Sequence, residues 1–243
     1  MASSCALSVA ELTERFPAFR VALVVVDGIS IPATPPSALE TWIAATVAEA
    51  ADTLSGQELG NLPELKCWRE AYKAFGEKKT SYRSSVERLL KGIQRGNGLP
   101  RVNAFVDAYN TVSVRYRMPV GADDLDLVTP PLAFRYSRKD DSFIALGDPI
   151  QADDPPKPRE AVYADAAKCL CRRWNWYQDA RSAIRPETRR AVLTIQSNCA
   201  ETAGQVEAAA ELLCRQIAQA CGGSAAWAIA DAERPEVTVE AGA

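Results

Sequence analysis

The sequence contains no histidine. This absence excludes every mechanism built on an imidazole, including Ser-His and Cys-His nucleophilic pairs. Any chemistry must therefore use carboxylates, hydroxyl groups, a lysine, backbone dipoles, water or the substrate itself.

Long apolar runs are absent as well. No run reaches the roughly 18 residues that a membrane-spanning helix needs. The N-terminus also lacks the basic segment followed by an apolar one that is typical of a secretory signal. We therefore predict a cytoplasmic protein with no membrane partner.

The sequence contains cysteines, but only two of them lie close together along the chain. The seven cysteines are an odd number spread over a chain too long to need disulfides, which suits a reducing compartment. Cys169 and Cys171 form one C-x-C pair, and no second close pair or histidine accompanies it. We predict no metal site and interpret the thiols as small buried apolar groups.

The 243 residues, 47% of them hydrophobic, are enough for one large domain with its own core. We predict the α+β class, with a mixed or antiparallel sheet flanked by helices. The last dozen residues are expected to be frayed. The predicted strands are 19–27, 132–137, 143–145, 161–165, 169–175 and 192–196, and the predicted helices are 38–54, 63–75, 84–95, one that carries Asn103 and Asp107, and 201–220.

One polar stripe stands out in the segment from Leu99 to Asp126. Asn103, Asp107 and Asn110 recur at spacings of four and three, so in a helix they share one face. An apolar stripe lies beside them. Short amides and carboxylates in this position can bind a polar ligand at the mouth of a core, or they can cap and brace the helix.

Charge is distributed unevenly around the net value of −3. Residues 66–95 contain nine Lys/Arg and three Asp/Glu, and residues 157–190 contain nine and four. Local basicity in an acidic protein suits a nucleic-acid backbone on one face. Ordinary solvated helix surface is the alternative interpretation.

Five ordered motifs between Trp68 and Gln196 resemble a known family. They are Trp68-Arg-Glu-Ala-Tyr, Lys78-Lys-Thr-Ser-Tyr-Arg-Ser-Ser85, Val102-Asn-x-x-Val-Asp-x-Tyr-Asn110, Met118-Pro-Val-Gly-Ala-Asp-Asp124 and Cys171-Arg-Arg-Trp-Asn-Trp176. The chain resembles the B3/B4 editing domain of the phenylalanyl-tRNA synthetase beta subunit, and most of all the free-standing B3/4-domain proteins. The resemblance implies one interleaved B3/B4-type domain over residues 1–225, with a flexible tail over 226–243.

The resemblance also implies an activity. The synthetase domain hydrolyses the ester between a wrong amino acid and the 3′ end of tRNA, and free-standing relatives do so in trans, with arginine mimics such as canavanine among the associated substrates. A separate editing reaction is needed because a synthetase that relies on binding alone discriminates between amino acids of nearly the same shape by only about 10- to 200-fold. We predict a trans-editing aminoacyl-tRNA deacylase that is monomeric, acts on mischarged tRNA and needs no metal or organic cofactor.

The chain departs from the synthetase pattern at one position. Gly121 stands where the synthetase usually has a histidine, so the attacking group is expected to be a water positioned with help from the substrate's own ribose hydroxyl. Gln196 corresponds roughly to a glutamate near the end of the synthetase domain.

Site residues follow from the motifs and the resemblance. The predicted catalytic residues are Gly121, Asp107 and Asn110. The predicted substrate-binding residues are Asn103, Asp123, Asp124, Arg173, Asn175 and Gln196. The predicted tRNA contacts are Lys78, Lys79, Tyr82, Arg83 and Arg172.

Several of these residues also have a purely structural interpretation, and the function has alternatives as well. Asp123 and Asp124 can cap the next turn, and the tryptophans near residue 175 can be core residues of a strand whose arginines face the other way. At the level of function, the alternatives are a non-catalytic tRNA- or amino-acid-binding module that kept the fold, and a small-molecule ester or amide hydrolase that acts without tRNA.

Overall fold

The structure is a computed structural model that describes residues 3–77 and 82–242. These residues form ten strands and seven helices, with three short 3-10 turns. The strands are β1 (Ser3–Ser8), β2 (Arg20–Asp27), β3 (Val120–Asp124), β4 (Leu132–Tyr136), β5 (Ala161–Ala164), β6 (Cys169–Arg172), β7 (Tyr177–Gln178), β8 (Arg190–Ser197), β9 (Ser224–Ala230) and β10 (Glu236–Ala241). The helices are α1 (Ala10–Thr13), α2 (Ser37–Leu54), α3 (Pro63–Ala74), α4 (Ser85–Gln94), α5 (Ala104–Tyr116), α6 (Ala200–Ala203) and α7 (Val206–Cys221).

Two sheets organise the described part of the chain. The four-stranded sheet, in the order β3-β8-β2-β9, is antiparallel throughout. The six-stranded sheet, in the order β10-β1-β4-β5-β6-β7, is mixed, because β1 runs parallel to β4 while the other pairs are antiparallel. The predicted α+β class with a mixed sheet is confirmed.

The four-stranded sheet separates two hydrophobic cores, and β2 contributes to both. Its odd-numbered residues 21–25 pack between the two sheets, while its even-numbered residues 22–26 pack under α2, α4, α5 and α7. Because side chains alternate along a strand, burial on both faces produces an unbroken apolar run. This run is why the strand was predictable from the sequence.

Trp174 lies at the centre of the core between the sheets. It is fully buried, and its ring makes edge contacts with Phe16, Phe19 and Trp68 at centroid distances of 4.8, 4.7 and 5.3 Å. Arg173 and Trp174 have left-handed backbones, with φ of 47° and 67°. Such a pair costs about 2–4 kcal/mol, whereas burying an indole of about 200 Å² contributes about 5 kcal/mol. The packing therefore outweighs the strain.

Four expectations from the sequence are corrected by the strands. The predicted strand 143–145 is not formed, since Ile144 and Ala145 make only isolated bridges with Asp153 and Asp179. The predicted strand 169–175 ends at Arg172, because the left-handed turn brings Trp174 into the core. The segment from Val120 to Asp124, which is not among the predicted strands, forms one. The expected flexible tail instead forms β9 and β10, which pair in the two sheets, and the expected boundary at residue 225 falls inside β9.

Four of the predicted helices are present with ends shifted by at most a few residues, whereas the predicted helix 201–220 is divided into α6 and α7 at Gly204 and Gln205. Asn103 caps α5 by accepting a hydrogen bond from the backbone of Val106 at 2.9 Å. The helix ends at Tyr116, and the next residue, Arg117, adopts the left-handed conformation. Among the described helices, none combines the length and apolar character needed to cross a membrane.

Candidate functional site

A cavity of about 270 Å³ lies between the two sheets, beneath α4 and α5. Its volume suits a group no larger than a small molecule such as an amino acid. Residues from β3, β8, β5 and β6 form its walls. The residues predicted for the site that line it are Asn110, Gly121, Asp123, Asn175 and Gln196.

Gly121 and Ala122 present the backbone of an edge strand to the cavity. Gly121 lies opposite Thr194 of β8. The carbonyl of Pro119 accepts a backbone hydrogen bond from β8 at 3.0 Å. Hydrogen-bonded pairs alternate along an antiparallel ladder, so Gly121 pairs with Thr194 while the backbone groups of Ala122 point away from β8. Consistently, the Ala122 carbonyl accepts a hydrogen bond from Gln178 Nε2 at 2.5 Å.

The backbone donor that a bound group can reach at this edge is thus the N–H of Ala122, and not that of Gly121. Gly121 contributes space instead. A Cβ atom added there would meet no atom of the described residues within 4 Å.

Asp123 places a buried carboxyl group in the cavity. Ser182 Oγ and Gln178 Nε2 donate hydrogen bonds to its Oδ1 at 2.7 and 3.1 Å. Burial raises the pKa of Asp123 to about 7; the two hydrogen bonds and Lys168 act in the opposite direction, and Asp179 adds to the rise. At neutral pH the carboxyl group is therefore near its titration midpoint.

No cation within the described residues is ion-paired with Asp123. Lys168, whose charge acts on Asp123, has its Nζ 2.8 Å from Asp165, and Arg181 on the neighbouring turn has its Nη2 2.7 Å from Asp179. A buried carboxylate with only neutral partners is costly. A ligand that brings a positive charge would remove this cost.

Tyr163 on β5 faces the cavity from the six-stranded sheet. Its hydroxyl is buried and has no hydrogen-bond partner among the described residues. Burial raises the pKa of Tyr163 well above its ordinary value, and Asp123 adds to the rise, so the hydroxyl keeps its proton. Its register partner Cys171 also lines the cavity, and burial raises the pKa of that thiol to about 12. Cys171 is therefore a thiol and a poor nucleophile.

A chain of neutral hydrogen bonds forms another wall. Tyr72 OH donates to Asn175 Oδ1 at 2.9 Å, and Asn175 Nδ2 donates to Gln196 Oε1 at 3.0 Å. Gln196 Nε2 in turn donates to Thr194 Oγ1 at 3.1 Å. The chain fixes the orientation of both amides and joins α3 to β8.

The rim of the cavity is partly apolar and carries one arginine. Val102 and Leu146 are 64% and 41% exposed although both are large and apolar. Arg88 is exposed, and its guanidinium lies 5.0 Å from the centroid of the Tyr177 ring. A rim of this composition can accept an unpaired base and an adjoining phosphate.

Comparison with known proteins decides the family. The profile of the B3/4 domain matches residues 67–222, more than half of the chain. The chain belongs to the B3/4 domain family. An N-terminal fragment of the phenylalanyl-tRNA synthetase beta subunit from Pyrococcus horikoshii is similar in structure, with a TM-score of 0.49 and 12% sequence identity. The similarity covers 92% of this chain and 50% of that fragment, so the B3/4 chain spans half of its length. No curated protein matches the chain.

Within the B3/4 domain, only one of the three polar residues on α5 reaches the cavity. Asn110 lines it, and its carboxamide has no partner among the described residues. Asn103 caps the helix. Asp107 accepts hydrogen bonds from Arg101 Nε at 2.8 Å and from the backbone of Val102 at 2.9 Å. Asn103 and Asp107 thus occupy the capping and bracing positions that were the alternative interpretation, and neither lines the cavity.

Asp124 and Arg172 are also turned away from the cavity. Asp124 accepts hydrogen bonds from Thr188 Oγ1 at 2.6 Å and from the backbone of Asp126 at 3.0 Å, so it caps the turn that follows β3. Arg172 is 1% exposed and forms ion pairs with Glu160 and Asp154. Its burial argues against the predicted contact with tRNA.

Arg173, Tyr82 and Arg83 lie beside the cavity. The guanidinium of Arg173 is 3.7 Å from the centroid of the Tyr82 ring and 4.5 Å from that of the Trp176 ring. Arg173 is buried and does not line the cavity. Its guanidinium packs against the two rings and holds them in place. Arg83 is half-buried and forms an ion pair with Glu87 at 3.0 Å. The predicted tRNA contacts Lys78 and Lys79 lie outside the described residues.

Three residues of the B3/4 site were not predicted from the sequence: Tyr163, Gln178 and Ser182. Tyr163 could have been noticed as the one residue with a polar group in an otherwise apolar strand, Ala161–Ala164. Gln178 and Ser182 carry no local signal, because they reach Asp123 only through the pairing of β7 and the turn that follows it.

Proposed function

We propose that the protein is a trans-editing deacylase that hydrolyses the ester of a mischarged tRNA. The reaction breaks the bond between the amino-acid carbonyl carbon and the ribose oxygen of the terminal nucleotide, and water supplies the new carboxyl oxygen. The observation that carries the proposal is the cavity that places the buried Asp123, an unpartnered tyrosine hydroxyl and a bare strand edge together.

Two groups in the cavity are suited to polarising an ester carbonyl. The Ala122 N–H points away from β8, and the hydroxyl of Tyr163 remains protonated. Donors aimed at the oxygen on which negative charge develops are among the largest contributions to acyl-transfer catalysis. The space above Gly121 accommodates the tetrahedral carbon.

The attacking water is activated without a histidine. The hydroxyl of the substrate's ribose that does not carry the ester lies next to the carbonyl by its covalent structure, so it can position the water without any protein group. Asn110 and the Asn175–Gln196 pair supply neutral hydrogen-bonding groups around the reacting atoms.

Asp123 is proposed to select the amino acid. Its carboxylate lacks an ion-pair partner among the described residues, so a guanidinium-like side chain can form two parallel charge-assisted hydrogen bonds with it. An apolar side chain would leave the buried carboxylate without a countercharge. We therefore infer a cationic substrate, such as an arginine-like non-protein amino acid of the canavanine type, esterified to tRNA.

The experiment is turnover of a panel of charged tRNAs by the full-length chain. One tRNA should carry an arginine-like analogue, one phenylalanine and one tyrosine. We expect catalytic release of the cationic amino acid, and loss of that release in Asp123→Asn but not in Asp124→Asn, which makes the same chemical change on the opposite face of β3. Preference for tyrosine or phenylalanine would contradict the proposed substrate, and no turnover of any charged tRNA would contradict the proposed activity.

One observation favours a second candidate, a binding module that kept the B3/4 fold. Glycine replaces the histidine of the synthetase motif, and Cys171 in the cavity is a poor nucleophile because of its raised pKa. Such a module would bind charged tRNA in stoichiometric amounts and would protect the ester from spontaneous hydrolysis. The same panel separates the two functions, since a deacylase shortens the lifetime of the ester and a binding module lengthens it.

A further inference from the structure

A second cluster of reactive side chains lies outside the cavity. Cys67 on α3 and Cys199 and Glu201 at the start of α6 bring their ligand atoms within 4.8 Å of one another. Cys199 Sγ donates to Glu201 Oε2 at 2.6 Å. Cys67 and Cys199 are distant in the sequence, and only the packing of α3 against α6 brings them together.

The distances are within about 1 Å of those required for one metal ion. A tetrahedral zinc ion holds thiolates at about 2.3 Å and carboxylate oxygens at about 2.0–2.2 Å, which places neighbouring ligand atoms roughly 3.5–3.8 Å apart. Atoms that already lie within 4.8 Å need to move by only about 1 Å to reach that arrangement. Glu201 is exposed, so a fourth position would face water.

The donor set selects the kind of metal. Two thiolates are soft ligands, which favour zinc and other late transition metals, whereas calcium and magnesium prefer sites made of oxygen ligands. The chain has no histidine that could complete the site or compete for the ion elsewhere.

The backbone that carries Cys199 is held by buried hydroxyl groups. Ser197 Oγ and Thr202 Oγ1 lie 2.6 Å apart, so one donates to the other, and the two oxygens lie 3.2 and 3.3 Å from the carbonyl oxygen of Cys199, which the remaining hydroxyl proton can reach. The two hydroxyl-bearing residues are 1% and 4% exposed. Such support around a ligand residue is typical of metal sites whose geometry is fixed before the ion binds.

We propose that Cys67, Cys199 and Glu201 form a binding site for a zinc-like divalent cation, with water as the fourth ligand. The ion joins α3 to the β8–α6 connection. These are the elements that carry Tyr72 and Gln196, which are linked through Asn175 in the wall of the cavity. The ion would therefore hold together the elements that form that wall, and the proposal differs from the expectation of no metal drawn from the sequence.

The test uses the full-length, reduced chain without a histidine tag, titrated with cobalt(II). We expect one equivalent to bind with a thiolate-to-cobalt charge-transfer band. The band should persist in Cys214→Ser, which removes another half-buried thiol, and should disappear in Cys67→Ser and Cys199→Ser. Glu201→Gln should weaken binding about tenfold or more. Zinc at about 100-fold above its Kd should raise the Tm of the wild type by roughly 5–10 °C and leave that of Cys67→Ser unchanged.

Cys67 is half-buried, so Cys67→Ser carries the test if the buried Cys199→Ser fails to fold. The absence of a charge-transfer band in the wild type, or its persistence in Cys67→Ser, would overturn the proposal. A Cys67–Cys199 disulfide in the oxidised protein, together with no cobalt binding after reduction, would also overturn it and would assign the thiols to redox chemistry.

Discussion

Asp123→Asn should make the protein more stable and less active at the same time. In the folded protein, burial raises the pKa of Asp123 from 3.8 to about 7. Between these two values the folded state binds a proton that the unfolded chain has released. The contribution of Asp123 to stability is therefore fully present below about pH 3.8, is lost as pH rises to about 7, and stays lost above that.

The magnitude follows from the same pKa values. A difference of about three pH units corresponds to about 4 kcal/mol, which is an upper bound because the cavity opens to solvent. With partial hydration of the carboxylate we expect about 2 kcal/mol. For a chain of this length that equals a Tm increase of about 4–8 °C in Asp123→Asn at pH 8. At pH 5 the folded carboxyl group is still protonated, but the unfolded chain has already released most of its proton, so about four tenths of the loss has accumulated and the increase should fall to about 2–3 °C.

Thermal unfolding at pH 5 and pH 8 measures this difference. Asp124→Asn is the matched control. When the amide nitrogen replaces the oxygen that accepts from Thr188 Oγ1, that hydrogen bond is lost, so the variant should be less stable than the wild type by about 1 kcal/mol at both pH values. The reasoning is refuted if Asp123→Asn is no more stable than the wild type at pH 8, or if its gain in stability is the same at pH 5.

The activity of the same variant completes the argument. Loss of a charge-assisted pair costs about 2 kcal/mol, or about 30-fold in kcat/KM, on a tRNA that carries a cationic amino acid. A variant that gains stability but loses activity has lost a functional group and not a structural one, since stability is commonly sacrificed at functional sites.

Elements with strong local signals were predictable from the sequence. The apolar run of β2 and the capped, periodic helices belong to this group, because their local patterns agree with the final fold. β3 was missed because glycine and aspartate are rare in strands, and its pairing with β8 is what makes Val120–Asp124 extended. β10 alternates exposed and buried residues and could have been recognised, whereas the alanine-rich β9 gives little local indication.

The lining of the cavity could be anticipated where the family motifs, and the rough correspondence of Gln196 to a synthetase glutamate, cover it. Gly121, Asp123, Asn175 and Gln196 all line one cavity. Tyr163 was not predicted, because its position depends on how one sheet faces the other, and that packing leaves no pattern in the sequence.

The remaining predictions concern the other groups of the cavity. Tyr163→Phe should lower kcat about 10- to 100-fold without loss of Tm, because it removes an unpartnered hydroxyl; an unchanged kcat would exclude Tyr163 as a donor to the carbonyl. Gly121→Ala should fold normally, since its Cβ has space, but should raise KM for charged tRNA in steady-state assays. Arg88→Ala should weaken tRNA binding, because Arg88 is exposed at the rim, where the phosphate next to the bound nucleotide would lie. Removing a cation that neutralises one phosphate reduces the slope of log K against log salt by about 0.7–0.9. Lys91→Ala, on the same helix but outside the rim, is the control, and equal slopes for the two variants would show that the cavity mouth does not bind the tRNA backbone.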